Sequence, residues 1–180
     1  MGNKIRRINL YSGPGASKST SAAWLFSQLK IQHRKVELVQ EVVKDWCYLG
    51  IKPSSFDQVF LLGAQSRKEE IVLRNGIELV VTDSPVFMST CYAKKYGMLA
   101  WKELQAISLI FDSLYEPLDI FLSRDGIQYN KEGRYQSEQE AIEMDNFILN
   151  ELEQRGRKFH RIPARANEDM LKLIVSAIGE

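Results

Sequence analysis

Ile8-Asn9-Leu10-Tyr11-Ser12-Gly13-Pro14-Gly15-Ala16-Ser17-Lys18-Ser19-Thr20 decides how the rest of the chain is read. An alternating apolar run gives way to small, turn-forming residues, and a lysine with two hydroxyl residues then opens a helix. This is the strand, loop and helix of a P-loop. A triphosphate's charge must be met by many donors in a small space. Successive backbone N–H groups across Gly13, Gly15, Ala16 and Ser17, beside Pro14, and the helix N-terminus supply partial positive charge without bulk. Lys18 is placed to reach the β- and γ-phosphates, Ser19 to offer its hydroxyl to Mg²⁺, and Thr20 to help cap the helix.

The strict spacing G-x-x-x-x-G-K-[ST] puts glycines at 12 and 17, where this chain has Ser12 and Ser17 and carries Gly13 and Gly15 inside the loop. A serine costs free energy wherever φ must be positive, and its side chain crowds the phosphates. A plain strand–turn–helix junction without nucleotide, or a degenerate loop that has lost catalysis, are the alternatives. The Lys-Ser-Thr run and the flanking strand and helix speak for a phosphate site.

The 180 residues set a single domain as the expectation, long enough to bury a core. Apolar content of 44% and charged content of 26% are those of an ordinary globular chain, and a net charge of +1 creates no global field demanding nucleic acid or membrane. Cys47 and Cys91 fit no metal spacing and suggest a reducing compartment. Lys4, Arg6 and Arg7 are not followed by an apolar run long enough for a signal peptide, and no stretch approaches a membrane span. A cytoplasmic setting is the expectation.

Along the chain, strands are predicted over 5–11, 36–39, 77–82, 119–122 and 159–162. Helices are predicted over 18–31, 42–48, 54–74 with a serine cap at Ser54, 101–114, and from a capping box at Ser137-Glu138-Gln139-Glu140 to about 155. Pro85 suits the first turn of another helix, and Asn167 caps the last. Alternation of strands and helices implies an α/β three-layer P-loop NTPase fold: a parallel five-stranded sheet, helices on both faces, and a lid loop after the fourth strand. Ligands in such sheets bind at the strand carboxyl ends.

The polar groups singled out sit at those ends. Asp83 ends a hydrophobic strand, where an acid contacts Mg²⁺ or orients the attacking group; a helix cap is its alternative use. Glu41 ends the second strand, where it can take the proton of an attacking hydroxyl or hold a sugar hydroxyl; first-turn stabilisation of the next helix is the bland reading. On the third helix, Gln65 could read a base edge by paired hydrogen bonds, and Arg67 could meet a phosphate unless both belong to an exposed stripe. Arg124 and Arg134 bracket the lid loop, about 124–137, and would stabilise charge spreading during transfer, with surface charge as the alternative.

Together these pieces resemble the small bacterial and bacteriophage P-loop ATPase/kinase proteins related to the ribosylnicotinamide kinase domain, and more distantly thymidylate and deoxynucleoside kinases. The matching stretches are Gly13 to Thr20, Val36-Glu37-Leu38-Val39-Gln40-Glu41, Gln65-Ser66-Arg67, Val81-Thr82-Asp83-Ser84-Pro85, and Gly133-Arg134-Tyr135-Gln136 with the acidic helix carrying Asp145. The resemblance covers about residues 5–165. It implies ATP, Mg²⁺ and transfer of the γ-phosphoryl group to a nucleoside- or nucleotide-like acceptor, in a bacterial cell or a phage-infected host. It puts Glu41 and Asp83 near the acceptor and metal. Ser84 stands where deoxynucleoside kinases place arginine, and Lys44 where relatives often show arginine.

Three readings follow. One is a kinase of a free nucleoside or nucleotide. Another is a kinase of a hydroxymethylated pyrimidine within DNA, which needs an open cleft lined by Lys94, Lys95, Lys102 or similar residues. The third is a non-catalytic nucleotide-binding regulatory module. The acceptor's identity is open, and so is a homodimer.

Overall fold

The computed structural model describes residues 4–54, 56–130, 132, 135–165 and 167–179. Five strands form one sheet: β1 (Arg7–Tyr11), β2 (Val36–Val39), β3 (Leu79–Thr82), β4 (Pro117–Ser123) and β5 (Phe159–Pro163). The helices between and after them are α1 (Lys18–Ile31), α2 (Val43–Tyr48), α3 (Asp57–Arg74), α4 (Phe87–Lys95), α5 (Trp101–Leu114), α6 (Glu138–Gln154) and α7 (Asn167–Ile178). The strand order is β2-β3-β1-β4-β5 and every pairing is parallel. This is the expected three-layer fold.

Two apolar layers hold it together. Ile8 and Leu10 of β1 pack with Val81, Ile120 and Leu122 against Ala22, Leu25 and Leu29 of α1 and Met170 and Ile174 of α7. On the other face Tyr11 and Phe121 meet Phe87, Met88 and Cys91 of α4 and Met144, Ile148 and Leu152 of α6. A strand covered on both sides reads as a continuous apolar run, and β3 does.

β1 departs from that rule. Its alternation of Arg7, Asn9 and Tyr11 with Ile8 and Leu10 is the pattern of a half-solvated strand, yet all five residues are buried. The polar face is satisfied from inside. Arg7 donates to Glu69 of α3 at 2.7 Å and to Asp112 of α5 at 2.6 Å. Asn9 donates to Asp119 of β4 at 2.8 Å, and Arg155 reaches Asp112 and the Tyr11 hydroxyl.

Several boundaries shift, the start of β1 among them, at Arg7 rather than 5. β3 begins at Leu79 rather than 77. β4 runs from Pro117 to Ser123, since a proline at the first strand position forfeits no ladder bond that an interior residue would make. Helix α3 starts at Asp57 without a side-chain cap; Ser54 instead donates its N–H and hydroxyl to the Asp57 carboxylate, at 2.7 and 3.1 Å. The capping box at Ser137 and Glu140 is present as predicted. Among the described residues no helix is long and apolar enough to cross a membrane.

Candidate functional site

The loop between β1 and α1 takes its shape from two positive φ angles, 78° at Gly15 and 60° at Ser17. Ser17 therefore adopts the left-handed backbone at the position where the strict motif has glycine; Ser12 does not, so only one of the two serines bears a conformational cost. Ser17 occupies the N-cap of α1 and its side chain makes no capping bond. Thr20, expected to cap, stands exposed in the first turn. A helix start without a side-chain cap keeps its N–H groups for an anion.

Lys18 Nζ folds back and donates to the carbonyls of Ser12 and Gly13, at 2.8 and 2.9 Å. Burial pushes its ammonium below the ordinary lysine value, against the opposing pull of Glu41, Asp83 and Asp145. The two acids meet at the carboxyl ends of β2 and β3: the Glu41 N–H donates to Asp83 Oδ1 at 3.0 Å, and Ser84 Oγ donates to Glu41 Oε1 at 3.4 Å. Burial raises both carboxyls above their usual range, with Lys18 holding the rise in check.

A cavity of about 910 Å³ opens from this cluster. Lys18, Ser19, Glu41, Asp83 and Gln65 share its walls with aromatic side chains, Tyr48, Phe56, Tyr92 and Tyr96 among them. Pro14, Gly15 and Ser17 complete the phosphate end; Ala16 is buried beneath it.

Gln65 is 4% exposed, and its amide nitrogen is committed to Thr82 Oγ1 at 3.2 Å and Glu69 Oε1 at 3.4 Å. Only Oε1 is left over, so the paired reading of a base edge expected of Gln65 is not open to it. Arg67 lies on the exposed side of α3, outside the cavity walls, because the residue two positions from an inward-facing one on a helix points away. Arg124 is held against the loop: Nε donates to Asp145 Oδ2 at 2.7 Å and Nη2 to the Pro14 carbonyl at 2.9 Å. Arg134 lies outside the described residues. In the loop after β4, the Tyr129 ring covers Gly15 so closely that a Cβ there would meet it at 2.7 Å.

A P-loop set between parallel strands, with a lysine, a hydroxyl and a strand-end carboxylate around one cavity, is a nucleotide site by construction, and the sequence comparison agrees. A family model described as an AAA domain matches residues 7–169. The chain belongs to the AAA domain family. This P-loop NTPase family accounts for the fold and for nucleotide as the ligand class. No curated protein matches the chain. Among solved structures, the crystal structure of APE1195 is similar in fold, with a TM-score of 0.50 over 97% of this chain and 95% of that one, at 17% identity.

In this AAA domain the donor set suits Mg²⁺. Ser19 and Asp83 bring hard oxygen ligands to one cavity, and among the described residues no group of three or more His, Cys, Asp or Glu side chains gathers to form a protein cage. Magnesium keeps several waters and shares substrate phosphates, so two protein oxygens are enough.

Asp145 is the site residue whose role sequence reasoning missed. Its carboxylate receives the Gly13 N–H at 2.5 Å as well as Arg124. Its signal was a charge within the buried stripe Ala141, Met144, Ile148 of α6. Besides Lys18, Lys44 and Lys52 line the cavity, while Lys94, Lys95 and Lys102 do not. Lys94 pairs with buried Glu151 at 2.8 Å, and Lys95 and Lys102 sit over the rings of Phe147 and Trp101.

Proposed function

We propose that the chain is a Mg²⁺-dependent kinase that moves the γ-phosphoryl group of ATP to a free nucleoside- or nucleotide-like acceptor. The observation that carries this is the cavity's size and its aromatic lining beside the phosphate loop. Hydrolysis alone needs a phosphate cradle and a water, whereas here the cradle and Glu41 share a cavity of about 910 Å³ that Tyr48, Phe56, Tyr92 and Tyr96 also line. In this reading residues 1–180 are one kinase domain with a lid over about 124–137, akin to the ribosylnicotinamide kinase group.

Each residue then has a task. Glu41, held above the usual carboxylate range by burial and thus a stronger base, takes the proton of the acceptor hydroxyl as that oxygen attacks the γ-phosphorus. The bond to the β-phosphate oxygen breaks and ADP leaves. Lys18 turns from the Ser12 and Gly13 carbonyls to the phosphates, Arg124 adds positive charge beside the loop, and the uncapped start of α1 supplies N–H donors. Ser19 and Asp83 would hold Mg²⁺, which when bound neutralises charge on the β- and γ-oxygens. Ser17 reproduces the backbone of the glycine it replaces, which favours a working loop over a regulatory remnant.

The test incubates the protein with Mg²⁺ and γ-labelled ATP against a panel of nucleosides, nucleotides and hydroxymethylated DNA. Label passing to a free nucleoside or nucleotide supports the reading. Label passing only to DNA, or ATP turnover that no acceptor accelerates, overturns it.

A further inference from the structure

A chain of buried polar contacts runs beneath the cavity and ends on Glu41. It starts at Arg7, fully buried in β1, whose Nε donates to Glu69 Oε2 at 2.7 Å. Glu69 Oε1 receives the Gln65 amide nitrogen at 3.4 Å. The same nitrogen donates to Thr82 Oγ1 at 3.2 Å, and that oxygen also receives the Ser84 backbone N–H at 3.2 Å. Ser84 and Asp83 in turn hold Glu41, one through its carboxylate and the other through its N–H.

We infer that Gln65 and Glu69 are positioning residues for Glu41, acting through Thr82 and the Asp83–Ser84 turn. The inference rests on Glu41 being the acceptor-side carboxylate. An ion pair as buried as Arg7–Glu69 is a poor device for stability alone, because desolvation cancels much of its attraction. Its effect here is orientational. An ionised Glu69, fixed by Arg7, accepts hydrogen bonds only, so it selects the amide orientation of Gln65 that presents nitrogen. That nitrogen then donates to Thr82 Oγ1, leaving the Thr82 oxygen an acceptor for the Ser84 N–H as well. Without Glu69 the amide is free to turn over. Its oxygen would then take the Thr82 hydroxyl proton, and the hydroxyl would turn, re-aiming the lone pair that receives the Ser84 N–H and loosening that anchor. Gln65 Oε1, buried and without a partner, is the cost of the selected orientation.

The test uses Gln65→Met, which leaves the Arg7–Glu69 pair intact, together with Glu69→Gln and Thr82→Val. Amide hydrogen exchange at Ser84 and Glu41 reads the anchor without any turnover. In Gln65→Met both amides should exchange about 3- to 10-fold faster, as for one lost hydrogen bond, while Leu10 and Val81 change by less than about twofold. Gln65→Met combined with Thr82→Val should exchange no faster than Thr82→Val alone, since both cut one chain. With an acceptor in hand, kcat should fall about tenfold and KM for ATP stay within about twofold. Unchanged exchange at Ser84 and Glu41 in both Gln65→Met and Glu69→Gln overturns the inference, as does additivity in the double variant or a loss confined to KM for ATP. A wild type that labels no acceptor would refute the kinase reading and leave the exchange result to judge the anchor.

Discussion

The Gly13 amide donates to Asp145 Oδ1 at 2.5 Å, joining the phosphate loop to α6 across 132 positions of sequence. The contact is close because Gly13 has no side chain: a Cβ would lie 2.5 Å from the Ala141 carbonyl oxygen and 2.9 Å from Asp145 Oδ1. The same carboxylate anchors Arg124, so loop, helix and arginine are tied together at one group.

Gly13→Ala should therefore destabilise the fold. The obstructing atom is a helix backbone oxygen, which cannot swing aside, so α6 must move. A loss of about 1–3 kcal/mol is expected, the usual range for overpacking. Urea unfolding measures it, and a midpoint equal to the wild type would show that the loop and α6 are not tightly joined.

Ser17 offers the opposite case. A non-glycine residue in the left-handed region costs about 1–2 kcal/mol, part of which glycine gives back through its freer unfolded state. Ser17→Gly should match or exceed the wild-type melting temperature and bind ATP at least as tightly. Ser17→Val should be worse than both, because β-branching is least compatible with φ of 60°. Equal melting temperatures for the glycine and valine variants would remove the strain argument.

Lys18→Ala separates chemistry from folding. The ammonium is half-buried and bonded only to loop carbonyls, so the fold should survive its loss. Phosphoryl transfer should drop ~10²-fold or more, as when one preorganised donor is removed. Calorimetry on the folded variant and single-turnover assays give the two halves; near-normal turnover would take the loop out of the mechanism.

Much of this arrangement is legible in the sequence and some of it is not. The strand ending at Thr82 and the box at Ser137 and Glu140 are local signals, set by neighbours in the chain; the box stands where it was expected, and the strand is there but starts two residues late. The convergence of Lys18, Glu41 and Asp83 follows from strand order, since the parallel strands carry their carboxyl ends to one edge. Arg7 and Asn9 are different. Their alternation with Ile8 and Leu10 reads as a wet face, and the partners that keep it dry, at 69, 112, 119 and 155, are far along the chain with no spacing that announces them. Gln65 was found as a polar residue facing the site, but its amide donors are consumed by Thr82 and Glu69, which periodicity does not reveal. Asp145 needed the question of why a charge sits in an apolar stripe.

The buried polar face gives a pH dependence with a definite sign. Burial raises the Asp119 carboxyl above the usual aspartate value, with Arg155 and the Asn9 amide pulling it back. The folded state thus holds this proton more tightly than the unfolded chain. Stability contributed by the protonated form is complete below the ordinary value of about 3.8 and is lost as pH rises through the raised one. Asp119→Asn removes that loss and should flatten the stability profile above pH ~4. Guanidinium unfolding of both proteins across the acid range decides; parallel profiles would assign the slope to other groups.

The strand order also governs how the chain reaches this state. β1 is the first of the five strands to be synthesised and lies in the middle of the sheet, and its two partners begin at Leu79 and Pro117. The ribosome must release more than a hundred residues before both flanks exist, so β1 spends that interval without its strand partners and with only α1 to cover Ile8 and Leu10. At a synthesis rate of about 5–20 residues per second this is an exposure of several seconds or more. Parallel pairings between remote segments close slowly in any case. The nascent protein is therefore a natural client for chaperones that shield emerging apolar strands. Its yield on expression should depend more on their supply than on the stability of the finished fold.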